Sequence, residues 1–266
     1  MSFDAALPAE VIGRGGHLAH VTSDGMAPRS TEPGPARDDA RAPSASPVRF
    51  HFDFISPYAY IAWTQIHRLA ERHGRAVEAV PVLFAGLLDH HGTKGPAEVT
   101  AKRRYLLFDT VRKARALGVP FAPPRHHPFK PLLALRVASV PMDAGAQRKL
   151  IDRIYAGIWS GERADAEDEA TIARFADEAG LDARGLLEGA QSSEGKARLK
   201  DQTARAIADG VFGVPTVLAD GEMFWGVDAL PELDRFLAGG APTLDGDAIA
   251  RWSTVTPSAE RPGAKR

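Results

Sequence analysis

The feature that constrains the fold of this chain most strongly is a predicted strand–helix–strand unit. The sequence VRFHFDFI, which begins at Val48, is typical of a strand that is buried on both faces. Ser56 then provides a helix cap and Pro57 a first helical residue, while Gly74 ends the helix. A second strand is predicted from Ala76 to Phe84. Because the order is β-α-β, the two strands are expected to be parallel.

The middle of the chain is predicted to be helical, and a hairpin follows it. A helix that begins at Pro96 would place Leu107, Val111, Ala114 and Leu117 on one apolar face, and four further helical patterns follow it. The segments VPTVL and MFW flank Asp220-Gly221, a dipeptide typical of two-residue hairpin turns. A last helix is predicted from about Asp228. The order of elements is therefore β-α-β, a helical block, and β-β-α.

This order and the local composition predict the domain boundaries. Residues 1–46 are rich in Pro and Gly and lack a sustained apolar period, so they are expected to form a disordered extension. Residues 47–84 and 211–240 are assigned to one α/β domain. Residues 85–210 are assigned to a helical domain inserted into it, and residues 241–266 to a C-terminal tail.

Composition excludes several classes of function. The chain of 266 residues contains no Cys, which excludes disulfides, zinc–thiolate sites and cysteine nucleophiles. Its formal net charge of −1 argues against nucleic-acid and anionic-membrane partners. The His pairs lack the spacing of a zinc site, so no metal is predicted. The N-terminal sequence lacks a signal-peptide pattern and no apolar run is long enough to span a membrane, so a cytoplasmic location is expected.

Three segments together resemble one known family. FDFISPYAY, HPF and FGVPTVLADGEMFWGVDAL, which lie between about Val48 and Leu237, are similar to segments of the 2-hydroxychromene-2-carboxylate isomerases. These enzymes are a glutathione-dependent branch of the DsbA-like proteins, and the kappa-class glutathione transferases are closely related. The resemblance implies an α/β, thioredoxin-like fold with an all-helical domain inserted between its halves. It also implies glutathione as cofactor, a homodimer, and glutathione-dependent cis–trans isomerisation in aromatic-compound catabolism.

Ser56 is the predicted catalytic residue and also a predicted cofactor-binding residue. It lies where the first strand leads into a helix, and Ser-Pro-Tyr-Ala takes the place of the Cys-x-x-Cys motif of a dithiol oxidoreductase. The unpaired N–H groups of the helix start and the Ser56 hydroxyl would stabilise an external thiolate. Glutathione is the expected source of that thiolate. The alternative is that Ser56 only caps the helix.

The other predicted cofactor-binding residues lie around the hairpin. The resemblance makes Pro215 a cis-proline that faces the thiolate, so that the backbone of Val214 pairs with the cysteinyl part of glutathione. Asp228 is predicted to cap the last helix and to accept the γ-glutamyl ammonium group. Relatives commonly have a polar residue where this chain has Val227, and an Arg where it has Ala229. The set is completed by Trp225, Gly226 and Val227.

The predicted substrate is a small aromatic acid, whose carboxylate needs a cation. Lys94 and Lys102 are candidates for that cation, and His127 is a candidate for a residue that faces the substrate. Two other functions stay open. One is a kappa-like glutathione transferase, which stops at the thiol adduct. The other is a non-catalytic thioredoxin-fold protein that uses the same cleft for binding.

Overall fold

The computed structural model describes residues 46–239, 246–256 and 258. The predicted N-terminal extension lies outside these residues except for Ser46, and so does part of the predicted C-terminal tail. Within the described ranges, no helix is long and apolar enough to cross a membrane. The elements are β1 (Val48–Phe52), α1 (Pro57–Arg72), β2 (Val77–Pro81), α2 (Phe84–His90), α3 (Thr100–Ala116), α4 (Leu132–Ala138), α5 (Ala144–Trp159), α6 (Glu169–Glu178), α7 (Ala183–Gln191), α8 (Ser193–Ala208), β3 (Thr216–Ala219), β4 (Glu222–Trp225), α9 (Leu230–Leu237) and α10 (Gly246–Ser253).

The strands form one mixed sheet in the order β2-β1-β3-β4. β1 is parallel to β2, as predicted, and antiparallel to β3, which pairs with β4. Asp220 and Gly221 form the predicted two-residue turn with φ values of 51° and 87°, the positive values that a type I′ turn requires. Helices α2 to α8 lie between β2 and β3 in the chain, which confirms the predicted α/β fold with a helical insertion. β2 ends at Pro81, earlier than predicted, because Phe84 already begins α2.

Helix α5 attaches the inserted helices to the sheet. The Tyr155 ring is fully buried and packs on Phe52 and Phe54, with ring centroids 5.9 and 4.8 Å apart. The Trp159 indole N–H donates a hydrogen bond of 2.9 Å to the carbonyl of Phe54, and the Tyr155 hydroxyl lies 3.4 Å from the carbonyl of Asp53. The helical insertion therefore shares one core with the sheet.

Helix α3 confirms only part of its predicted buried face, since Ala114 is buried but two of the predicted leucines are not. The side chains of Leu107 and Leu117 are 48% and 45% exposed. A polar contact holds this face towards α1, since the Tyr58 hydroxyl of α1 donates a hydrogen bond of 2.7 Å to a carboxylate oxygen of α3. The buried face consists of Leu106, Asp109, Thr110 and Ala114. The apolar spacing was misleading because polar residues with partners form much of this face.

A short 3₁₀ turn lies between β4 and α9. This turn spans Val227–Ala229 and α9 follows at Leu230, later than predicted. Asp228 lies inside the turn, so the prediction that it caps the last helix is wrong. The cap position of α9 is Ala229, which has no oxygen in its side chain and makes no side-chain capping hydrogen bond.

Candidate active site

Ser56 lies at the junction of β1 and α1 and caps the helix. Its Oγ accepts a hydrogen bond of 3.2 Å from the backbone N–H of Ala59, and Pro57 is the first helical residue. The residue is buried, with 8% of its surface exposed. A hydroxyl carries a proton as well as lone pairs, so Ser56 can donate to a ligand while it caps α1.

A cis peptide bond between Val214 and Pro215 lies next to this hydroxyl. The Oγ of Ser56 is 3.5 Å from the carbonyl oxygen of Val214. The carbonyl of Pro215 accepts a hydrogen bond of 2.9 Å from the backbone N–H of Gly226, which lies just after β4. The structure thus brings the hydroxyl, the prolyl peptide and the end of the hairpin together.

A cavity of about 480 Å³ opens beside Ser56. Its walls come from the loops after β1 and β2, the turn near Pro96 and the connector before α4. Apolar side chains form most of the lining, among them Ile55, Leu83, Phe84, Leu88, Leu106 and Phe129. Its polar residues are Asp53, Ser56, Tyr58, Glu98, His127 and Lys130. An apolar pocket of this volume with a few polar groups is suited to a small organic ligand.

Asp53 ties two walls of this cavity together. One carboxylate oxygen accepts a hydrogen bond of 3.0 Å from the backbone N–H of Ile55, and the other accepts one of 2.9 Å from that of Phe84. Burial raises the pKa of Asp53 to about 7, although these two N–H donors act to lower it. The sequence did not single out Asp53 because one of its two partners, the N–H of Phe84, lies 31 residues away in the chain.

We expect the carboxyl group of Asp53 to titrate near pH 7 in the folded protein and near pH 4 in the unfolded chain. Since the folded state then binds more protons between these values, the stability contributed by Asp53 is complete below pH ~4 and is lost as the pH rises through about 7. Side-chain ¹³C NMR measures the titration, and Asp53→Asn assigns the signal. Between pH ~4 and ~7, the unfolding free energy of the wild type should fall relative to that of Asp53→Asn. A folded-state signal that titrates near pH 4 would contradict this assignment.

His127 lies in the cavity wall with one ring nitrogen already engaged. Its Nε2 is 3.0 Å from the carbonyl oxygen of Ile55, and its ring packs edge-on against Trp159 at 5.6 Å between centroids. Burial lowers the pKa of His127, which favours the neutral ring. Because Nε2 must carry the proton to donate to a carbonyl, Nδ1 is the acceptor of the neutral ring. A second cis peptide bond follows, between His127 and Pro128.

The two predicted substrate lysines lie outside the cavity lining. Lys94 and Lys102 are both exposed and neither belongs to the residues that line the 480 Å³ cavity. Lys130, which directly follows the HPF motif, does line it. The motif could have drawn attention to Lys130, but only the fold shows that this cation reaches the cavity. The part of the chain that the structure describes contains no cluster of three or more His, Asp or Glu side chains that could hold a metal.

The remaining predicted cofactor residues differ from one another in their environments. Trp225 is 55% exposed and packs on the ring of Phe212, with 4.9 Å between centroids. Gly226 has a φ of 90°, which glycine adopts without strain. The Val227 side chain is buried in the core and is not available to a ligand. The Asp228 side chain is 80% exposed, and its Oδ1 lies 3.1 Å from the Nζ of Lys113.

Side-chain contacts lead from Asp228 back to the start of α1. The Nζ of Lys113 is also 2.9 Å from Oδ2 of Asp109, and the Tyr58 hydroxyl donates to the same oxygen at 2.7 Å. Tyr58 lies two residues after Ser56. The first turn of α1 is thus connected to the hairpin both through Val214 and through these side chains. The sequence did not predict Lys113 or Asp109. Their mutual contact lies within α3, but the contacts with Tyr58 and Asp228 join elements that are far apart in the chain.

This chain is similar to known proteins over most of its described residues. The DSBA-like thioredoxin domain matches residues 47–238. A 2-hydroxychromene-2-carboxylate isomerase of Sphingobium xenophagum is 30% identical over 192 residues, which cover 71% of this chain and 97% of that protein. Glutathione S-transferase kappa 2 of Caenorhabditis elegans is 28% identical over 210 residues, which cover 74% and 93%. A solved structure of a 2-hydroxychromene-2-carboxylate isomerase matches with a TM-score of 0.66 and 25% identity over 72% of this chain and 94% of that one.

These relatives confirm the resemblance carried by the three sequence segments. The matched range runs from β1 to α9, so it includes the whole sheet, the helical insertion and the cis-prolyl peptide. The thioredoxin-like fold is confirmed over the same range. The chain therefore belongs to the DsbA-like thioredoxin family and, within it, to the family of the 2-hydroxychromene-2-carboxylate isomerases.

Proposed function

We propose that this protein is a glutathione-dependent cis–trans isomerase of the 2-hydroxychromene-2-carboxylate type. One observation carries the proposal: the buried hydroxyl of Ser56, at a helix start and 3.5 Å from the carbonyl of Val214, lies beside an apolar cavity of about 480 Å³. A thiol placed there meets a hydroxyl donor, a helix N-terminus and room for an aromatic substrate. The relatives that are named 2-hydroxychromene-2-carboxylate isomerases support it.

The residues present fit a thiol cofactor. The chain has no Cys of its own, and its helix start is of the kind that holds the first cysteine of a dithiol enzyme. When bound, glutathione would supply a thiolate for reversible addition to the conjugated chain: the double bond is single in the adduct and can rotate, and it forms again when the thiolate leaves. The proposed contacts along the peptide are Ser56, Val214, Trp225, Gly226, the backbone of Val227, and Asp228.

The chain itself stabilises charge and orients the substrate. The Ser56 hydroxyl donates to the sulfur, and the start of α1 adds about 0.3–1 kcal/mol for an anion, by analogy with exposed sites. Lys130 is the cation among the described residues that line the cavity, and we assign the substrate carboxylate to it. His127 lines the cavity, and its Nδ1 would accept a hydrogen bond from a substrate hydroxyl. The apolar walls exclude water.

The test is an assay of a 2-hydroxychromene-2-carboxylate with and without glutathione. We expect isomerisation that requires glutathione and leaves its concentration unchanged, because the thiol is released in each turnover. A generic electrophile is the comparison substrate. If the protein consumed glutathione with the electrophile but did not isomerise the chromene-carboxylate, it would be a kappa-like transferase and not an isomerase. The 28% identical kappa-class relative supports this second candidate. Absence of glutathione binding at millimolar concentration would favour the non-catalytic binding protein.

We further propose that the protein is a cytoplasmic homodimer that acts in aromatic-compound catabolism. The domain division into residues 47–84 with 211–240, and 85–210, belongs to the same proposal. Light scattering with size-exclusion chromatography tests the dimer. Limited proteolysis tests the domain boundaries, because cleavage concentrates at exposed connections between domains.

A further inference from the structure

A second cavity, of about 420 Å³, lies beside the cavity at Ser56. The two cavities share a wall, which consists of Pro57, Leu106 and His127. The rest of the second lining comes from α3, from the connector that follows α3 and from the last residue of α5, Trp159. Neither Ser56 nor any residue of the hairpin belongs to it. The second cavity is therefore separate from the proposed glutathione site.

Apolar side chains make up most of this second lining. The rings of Phe121 and Trp159 lie nearly parallel, with 12° between their planes and 5.8 Å between their centroids. The backbone N–H of Ala122 donates a hydrogen bond of 2.7 Å to the carbonyl of Trp159, which holds the connector against α5. Leu107, which is exposed on α3, belongs to the same lining. A cavity of this volume with aromatic walls is suited to a ligand that contains an aromatic ring.

The charged groups of this cavity are all positive. Arg103 and Arg104 of α3 both line it, and none of the described residues that line it is acidic. Both arginines are exposed, so an anion can reach them, and within the described ranges neither forms an ion pair. The guanidinium group of Arg104 lies over the Phe108 ring, 6.0 Å from its centroid. The pKa of His127 is lowered mainly by burial and also by the positive charge of Arg103, so this charge lies near the shared wall.

We propose that the second cavity binds a planar aromatic carboxylate, with its ring on Phe121 and Trp159 and its carboxylate on Arg103. A guanidinium group offers two parallel N–H donors, which match the two oxygens of a carboxylate. The apolar walls exclude part of the water around this pair, and the attraction between the charges is stronger there than in open solvent. The site requires neither glutathione nor Ser56, so the inference does not rest on the proposed function.

An NMR titration of the full chain with 2-naphthoate tests this inference. The reporter is the assigned indole N–H signal of Trp159, which lines the second cavity but not the first. We expect the signal to shift on binding. Arg103→Met should weaken the binding about tenfold or more, the usual effect of losing a hydrogen bond to a charged group. The neutral analogue 2-naphthylmethanol should bind equally to the wild type and to Arg103→Met, which shows that the variant keeps the cavity.

Arg112→Met and Lys130→Met are the matched controls. Arg112 is an exposed arginine of α3 outside the second lining, and Lys130 lines only the first cavity. Neither substitution should change the Trp159 titration. Equal weakening by Lys130→Met and Arg103→Met would place the acid in the first cavity and overturn the inference.

Three other results would also overturn it. They are an unchanged affinity for 2-naphthoate in Arg103→Met, equal affinities of the wild type for the acid and the alcohol, and a Trp159 signal that does not shift. Each of these results would leave the proposed isomerase standing, because the isomerase uses the first cavity.

Discussion

Substitution of Ser56 by Ala should lower the glutathione-dependent turnover roughly 100-fold or more, which is the usual loss when one donor to a reacting anion is removed. The pKa of the bound thiol should rise, because the thiolate loses its hydroxyl donor. Loss of the α1 cap should also lower the unfolding free energy by about 1 kcal/mol. Steady-state kinetics at saturating glutathione measure the turnover. The ultraviolet absorbance of the thiolate, followed against pH, measures the pKa of the bound thiol. Both measurements are independent of the change in stability.

Ser192 provides a matched control for this variant. It caps α8 by accepting a hydrogen bond of 2.9 Å from the backbone N–H of Gly195, so Ser192→Ala removes the same kind of contact. It does not line the cavity. We expect Ser192→Ala to lose a similar amount of stability and to keep its activity. Equal loss of activity in both variants would contradict a direct role of Ser56 in binding the thiolate. Retained turnover and thiolate formation in Ser56→Ala would contradict it as well, and Ser56 would then only cap α1.

Asp220→Asn should cause the largest loss of stability. The Asp220 carboxylate forms two hydrogen bonds of 3.0 Å with the guanidinium group of Arg75, and these side chains are 7% and 5% exposed. Asn keeps the turn conformation, since Asn-Gly is also favoured in a type I′ turn. Arg75 would keep a buried charge that has lost its carboxylate partner, which typically costs about 3–5 kcal/mol. Urea denaturation measures the change.

Asp209→Asn is the comparison for the buried pair. Asp209 lies 2.7 Å from Arg49, but these side chains are 38% and 43% exposed. Exposed pairs of this kind contribute about 0–1 kcal/mol, so the loss should be small. Equal losses in the two variants would mean that burial does not set the strength of the Arg75–Asp220 pair.

The sequence predicted those parts of the fold that depend on short segments. Ser56-Pro57 determines the start of α1, and Asp220-Gly221 determines the hairpin, because each needs only neighbouring residues. The buried face of α3 was predicted only in part. Ala114 is buried as expected, but Asp109, which receives a hydrogen bond from Tyr58 on another helix, was not expected there. The short helices α2 and α7 were not predicted, because so few residues give little periodic signal.

The candidate site was predictable to the extent that its motifs resemble a family. Those motifs led to Ser56 and to the cis-prolyl peptide, and the structure places the two side by side. The environments of Asp53, Lys113 and Lys130 were not predictable. Each depends on a partner or a cavity that forms only when distant parts of the chain meet, and no local pattern records such a contact.

The attachment of α5 limits how this protein can admit a ligand. Tyr155 and Trp159 reach the backbone of the loop that ends in Ser56, so a hinge motion of the helical block would pull on that loop. The helical block and the loop that carries Ser56 are therefore expected to move as one rigid body. Access has to come from the loops around the cavity, and a new substrate preference would arise by exchanging their side chains rather than by reorienting a domain.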